Sequence, residues 1–223
     1  MADLPISFSK PMVQALLAGR KTQTRRLMPH QEALEVAYLP IISGVSIFNY
    51  AGEELISRPP IKRGDRLYVR EHWRAEAVYD ETPPRDIEPD ACNVFFEADG
   101  KWSDLDQMNR VGRFRQAMHM PRWASRLTNI VTEVRVQRLQ DITEEDAIAE
   151  GVEPLHTGYF PYGITTFLTT FVGDREVPAQ CCRTAKHSYE MLWNSLHGPN
   201  AWDANPWVAA YSFAVQHGNI DTQ

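Results

Sequence analysis

"LLAGRKTQTRRL" (residues 16–27) decides how the chain begins, because its pattern changes from helical to extended within a few residues. Upstream, Met12, Ala15 and Leu16 share a helical face, Ser9 stands at a capping position and Pro11 falls in the first turn. The spacing predicts a short helix over residues 9–18, with Gly19 as its left-handed stop. From Thr22 onward the reading is extended. Arg20, Lys21, Arg25 and Arg26 crowd the junction, so this is also where charge concentrates.

Working outward, "IKRGDRLYVREHW" (61–73) predicts a turn at Gly64-Asp65 and a strand that places Leu67, Val69 and Glu71 on one face. "NIVTEVRVQRL" (129–139) alternates most clearly, with Ile130, Thr132, Val134 and Val136 on one side. "DITEEDAIAEGV" (141–152) predicts a helix capped by Thr143, with Asp146 three residues on and Gly151 as its stop. A helix over "TAKHSYEMLWNSLHG" (184–198) and a strand over "PWVAAYSFAV" (206–215) close the order. Residues 28–60 read as irregular, with one hairpin around Gly44. The expected architecture is α+β: a small, partly closed, mainly antiparallel barrel decorated by helices. Residues 1–223 form one domain in this reading, with insertions at about 75–109 and 152–183. The first insertion, rich in acids and proline, is expected to be a peripheral flap.

The 223 residues contain no apolar run of the length a membrane span requires, and the N-terminus lacks the basic-then-apolar order of a signal peptide. A cytoplasmic protein with no membrane partner is expected. Cys92, Cys181 and Cys182 show no zinc or disulfide spacing, and His119, His187 and His197 show no ligand spacing, so neither metal nor cofactor is implied. A net charge of −6 argues against indiscriminate coating of nucleic acid. The charge is unevenly placed: residues 110–126 hold five arginines and no acid, whereas residues 75–109 hold ten acids against Arg85 and Lys101. A local phosphate site and a self-neutralising solvated face both fit that pattern.

Four stretches, "LLAGRKTQTRR" (16–26), "IKRGDRLYVRE" (61–71), "VTEVRVQRLQDITEEDAIAEGV" (131–152) and "LWNSLHG" with "WDANPWV" (192–208), together resemble the ASCH domain, a family with a PUA-like barrel. With "HMPRWASR" (119–126) the chain is similar to the versions carried by tailed phages and prophages. Within that superfamily, small bacterial N4-acetylcytidine amidohydrolases share the GRKTxTxR opening. The resemblance carries their lysine to Lys21, their threonine to Thr24 and their glutamate best to Glu150, with Glu144 and Glu145, at the start of that helix, as weaker matches. This chain is about twice as long as those enzymes. A modified pyrimidine nucleoside, or a nucleic acid with RNA preferred over DNA, is the implied partner; oligomeric state is not implied.

Cleaving an N4-acyl amide needs a nucleophile, a base, oxyanion donors and an acid for the departing amine. Thr24 is the candidate nucleophile and Lys21 its base, which requires burial or neighbouring cations to depress the lysine pKa. Arg20, Arg25 and Arg26 can exert that pressure, and Glu150 opposes it while orienting the amine. Residues three apart in a flat strand face opposite ways, so Lys21 and Thr24 meet only if Lys21 belongs to the turn after Gly19. The candidate substrate-binding residues are Arg20, Arg26, Arg70, Glu71, Trp73, Arg122 and Trp123, the arginines for phosphate or ribose and the tryptophans for stacking. Paired surface arginines and packed core tryptophans are the bland alternatives. A rival class, a non-catalytic RNA or DNA reader, uses the same residues without turnover. A protein-interaction module built on the acidic insertion is the third.

Overall fold

The computed structural model describes residues 1–29, 31, 47–48, 54–55, 59–89, 91–100, 110–162, 169–172, 175–178 and 181–222. Its five principal strands are β1 (Asp3–Ser7), β2 (Gln23–Leu27), β3 (Arg66–Arg70), β4 (Leu127–Arg138) and β5 (Trp207–His217). Its helices are α1 (Lys10–Leu17), α2 (Glu144–Ala149) and α3 (Ala185–His197), with several single 3-10 turns. The class is therefore α+β, as expected.

The strands form one mixed sheet in the order β1-β3-β4-β5-β2. β1 runs parallel to β3, from Asp3 opposite Arg66 to Ser7 opposite Arg70, while β3 with β4 and β5 with β2 are antiparallel. The expected barrel closure does not occur: β1 and β2 are opposite edges of an open sheet. β1 went unread in the sequence because Pro5 argues against a strand. An edge position removes that objection, since one side of an edge strand needs no donors.

The chain forms two compact units, one from Met1–Gly19, Arg63–Thr132 and Phe213–Gln223, the other from Arg20–Lys62 and Glu133–Ser212. In the first, α1 buries Met12, Val13, Ala15 and Leu16 and ends where Gly19 takes φ +69°. Ser9 occupies the cap position, but its hydroxyl makes no capping bond. Leu67, Val69 and Glu71 are buried, as their alternation predicts, whereas the buried residues of β4's first half are Leu127, Thr128, Asn129 and Val131, with Thr132 exposed. The acidic segment is not peripheral. Trp73 and Arg74 pair with Phe96 and Phe95, and Trp73, Ala75, Ile87, Met120 and Ala124 form a core joined by Tyr79, Val94, Phe96 and Trp123.

In the second unit, α2 is capped as read: Thr143 Oγ1 accepts the Asp146 N–H at 3.1 Å, and Gly151 takes φ +88°. Thr184 caps α3 in the same way through the His187 N–H, and α3 buries Tyr189, Leu192 and Trp193. Glu144 at the start of α2 accepts the Ala185 N–H at 2.8 Å. The second insertion contributes short ladders, Pro154–Leu155 with Gly158–Tyr159 and Thr169–Val172 with Arg175–Pro178. A hairpin around Gly44 lies outside the described residues; Ile47–Phe48 pairs with Glu54–Leu55. Among the described residues no helix is long and apolar enough to cross a membrane.

Candidate functional site

One backbone bond builds the site. The Thr22 N–H donates to the Ala149 carbonyl at 2.8 Å and so ties the chain entering β2 to the C-terminus of α2. Lys21 and Glu150, the flanking residues, are thereby set side by side. The Lys21 amine donates to the Glu150 backbone oxygen at 2.7 Å and to its carboxylate Oε2 at 2.9 Å. Arg25 Nη1 donates to the other carboxylate oxygen at 3.0 Å, and its Nη2 donates to Asp146 Oδ2 at 2.7 Å. Gln23 donates to Asp146 and to Ser212, the residue opposite it on β5. Arg135 from β4 completes the ring by donating to both Asp146 oxygens.

The alternation of β2 explains this assembly. Lys21, Gln23 and Arg25 share the parity that turns toward α2, whereas Thr24 and Arg26 point to the other face. Thr24, opposite Tyr211 in the ladder, is 1% exposed, and its hydroxyl accepts a bond from Arg26 Nη1 at 3.0 Å. Of the proposed catalytic set the structure joins Lys21 to Glu150; Thr24 is bonded to Arg26 and not to Lys21. Arg20 donates to the Gly151 carbonyl at 3.3 Å, beside the same corner.

Lys21, Arg25 and Glu150 are each 2% exposed. Such a buried ionic cluster gains little net stability, because desolvation offsets most of the attraction. Burial is the main force on the Lys21 ammonium and pulls its pKa down; Glu150 resists, and Arg26 and Arg25 reinforce the fall. Burial raises the Tyr189 phenol well above its ordinary value, with the Glu150 charge adding to the rise. Its ring lies 6.0 Å from the Arg25 guanidinium. Desolvation would raise Asp146, but the bond from Arg135 and the charge of Arg25 hold it below the ordinary aspartate value. The result is a buried amine fixed on a carboxylate.

Asp146, Gln23 and Tyr189 were not among the residues read as the site, and Arg25 was read only as a neighbouring charge acting on Lys21. Two signals pointed to them: Arg25 shares the strand parity of Lys21, and Asp146 stands four residues before Glu150, on the same helical face. Nothing local in α3 marked Tyr189.

The other candidates belong to the first unit, and their partners are intramolecular. Arg122 is held by Asp221 and Asp3, Glu71 is 2% exposed and bound to Arg126, and Trp73 is fully buried in the core with Trp123 packed against it. Arg70 donates to the Tyr68 hydroxyl at 2.9 Å and to the Met118 carbonyl at 3.2 Å. A fully buried Trp73 presents no ring face to a base, and Arg122 is neutralised rather than offered to a phosphate. Among the described residues no three His, Cys, Asp or Glu side chains converge as metal ligands. Comparison with family models, with curated proteins and with solved structures returned no match.

Proposed function

We propose that the protein is an ASCH-type amidohydrolase that removes an N4-acyl group from cytidine, free or within nucleic acid, at the Lys21–Glu150 corner. The observation that supports this reading is the desolvated Lys21 amine held by two oxygens of one residue, Glu150. Lys21 and Glu150 form the acid–base pair: the amine takes a proton as the carbonyl is attacked, and the pair returns it to the departing N4 nitrogen. Thr24, polarised by Arg26, is the nucleophile carried over from the resemblance. Arg25, bonded to the second carboxylate oxygen, holds Glu150 in place. The test is incubation with N4-acetylcytidine, free and within oligonucleotides, read by mass spectrometry. Appearance of cytidine with wild type and its absence with Lys21→Ala supports the proposal, and equal cytidine with both sinks it.

A second reading is favoured by the bond between Thr24 and Arg26. With the hydroxyl engaged there rather than on Lys21, the same residues can recognise a base without turnover. Tight binding of N4-acetylcytidine with no product distinguishes this reader from the enzyme.

A further inference from the structure

The first unit carries a feature that the Lys21 corner does not explain. An open groove of about 550 Å³ is lined by Glu81, Pro83, Pro84, Arg113, Phe114, Arg115, Gln116 and His119. Its wall is built by close approach: a Cβ on Gly112 would lie 2.3 Å from Asp80 Oδ1 and 3.0 Å from the Ala75 carbonyl, so only glycine lets the chain pass. The same Asp80 oxygen accepts the Arg113 N–H at 2.7 Å and sets where that side chain leaves the backbone. Arg115 anchors the floor. It is 5% exposed, donates to the Tyr79 and Thr82 carbonyls at 2.6 and 3.2 Å, and lies 5.4 Å from the Trp73 ring.

Several other arginines of this unit are already committed. Arg66, Arg74, Arg122 and Arg126 are each held on carboxylates. Arg113 is exposed, and its guanidinium has no hydrogen-bond or ion-pair partner among the described residues; the same holds for the side chains of Gln116 and His119. Beside Arg113, Phe114 is 46% exposed, steadied edge-on by His72 at 5.0 Å. Glu81 is the one acid in the lining.

We propose that this groove binds single-stranded nucleic acid, with Arg113 on a backbone phosphate, Phe114 stacked on a base, and Gln116 and His119 bonding the base edge or the next phosphate. A cation with no partner among the described residues, adjacent to an exposed ring, matches the repeat of a single strand, which offers a charge and an unstacked base in each nucleotide. An acidic peptide offers the charge but no flat ring system for Phe114. The groove is proposed on its own geometry and is tested by binding, so its failure leaves the Lys21 chemistry where it was.

The experiment is fluorescence anisotropy on the full chain with labelled single-stranded DNA and RNA of about 12 nucleotides, titrated between about 50 and 200 mM salt. Arg113→Ala should weaken binding and reduce the salt slope by about 0.7, the contribution of one single-strand phosphate. Phe114→Ala should weaken binding about tenfold with the slope unchanged, and Phe114→Trp should restore it. Glu81→Gln should tighten binding. A preference between the DNA and RNA arms tells whether the 2′-hydroxyl is read, and either outcome supports the site. Wild type that fails to bind either strand, or binding that survives Arg113→Ala and Phe114→Ala together, overturns the proposal. Equal binding of a polyglutamate peptide, insensitive to Phe114→Ala, also overturns it. Should Phe114→Ala fail to fold, Arg113→Ala and Glu81→Gln, both exposed, decide the matter alone.

Discussion

Lys21 and Glu150 stand 129 residues apart in the chain, yet a single amine bonds both the carbonyl and the carboxylate of the one partner. Arg25 holds the second carboxylate oxygen. Removing either member therefore has unequal consequences. Glu150→Gln leaves two buried cations against Asp146 alone and is expected to cost about 3–5 kcal/mol. Lys21→Met leaves Glu150 still paired with Arg25 and is expected to cost less, about 1–3 kcal/mol. Urea unfolding of both variants and of the double variant checks this; a Lys21→Met cost above that of Glu150→Gln would contradict the charge balance.

Because burial depresses the Lys21 pKa, kcat/KM for an N4-acylcytidine is expected to rise with pH and level off at an apparent pKa below the ordinary lysine value of about 10.4. Glu150 favours the ammonium, so Glu150→Gln should move that rise toward lower pH while lowering the plateau. A rise that stays in place, or moves upward, would remove Lys21 as the titrating group.

Asp3 makes a separate pH prediction in the first unit. Bonds from Arg66 and then Arg122 hold its pKa down from 3.8 to about 2. A folded-state pKa below the unfolded one means that the unfolded chain binds the proton first, so this contribution is complete above about pH 4 and disappears as pH falls toward 2. The urea midpoint should fall across that window, and Asp3→Asn should flatten this part of the curve. An identical pH dependence in the variant would show that the cluster is not what titrates.

Much of the fold was legible wherever one residue has a local duty. Gly19, Thr143 with Gly151, and Thr184 mark helix ends by capping chemistry, and the structure places the ends there. β1 was not legible, because Pro5 is penalised in a strand until its edge position is known. The acidic segment misled for a related reason: polarity describes most of "DETPPRDIEPD", whereas Ile87 alone decides that it packs. At the site, Lys21 and Glu150 came from a motif, and Arg25 was available from strand parity. Tyr189 and Arg135 were not, since only tertiary packing brings α3 and β4 to that corner. Arg122 and Trp73 show the opposite failure, in which residue types suited to ligand binding are consumed by Asp221 and by the core.

If the acidic segment contributes to the core, Ile87→Ala should cost about 2–4 kcal/mol, as burial of a branched side chain at 2% exposure implies. Val78→Ala, earlier in the same segment and at 80% exposure, should change stability by less than about 0.5 kcal/mol. Chemical denaturation separates the two directly. A negligible cost at Ile87 would restore the peripheral flap, and deletion of residues 82–106 would then leave the melt cooperative.

In the proposed hydrolysis, Thr24 decides which atom attacks. Its hydroxyl is buried and accepts a bond from Arg26, an arrangement that stabilises a developing alkoxide but leaves proton removal to a group that does not touch it in this structure. Catalytic contacts commonly tighten only when substrate is bound, so the separation from Lys21 leaves two chemical routes to compare. With Thr24 as nucleophile, Thr24→Ala should abolish turnover, Thr24→Ser should keep part of the rate, and rapid mixing should reveal an acyl-enzyme burst that Thr24→Ala lacks. With a water activated by the Lys21–Glu150 pair as nucleophile, Thr24→Ala should retain measurable turnover and no burst should form. Arg26→Met separates the two further: it withdraws the donor from the Thr24 oxygen, so it should depress kcat strongly on the first route and chiefly raise KM on the second. Retained turnover in both Thr24→Ala and Arg26→Met would assign the attack to water and leave Thr24 as a buried member of β2 opposite Tyr211.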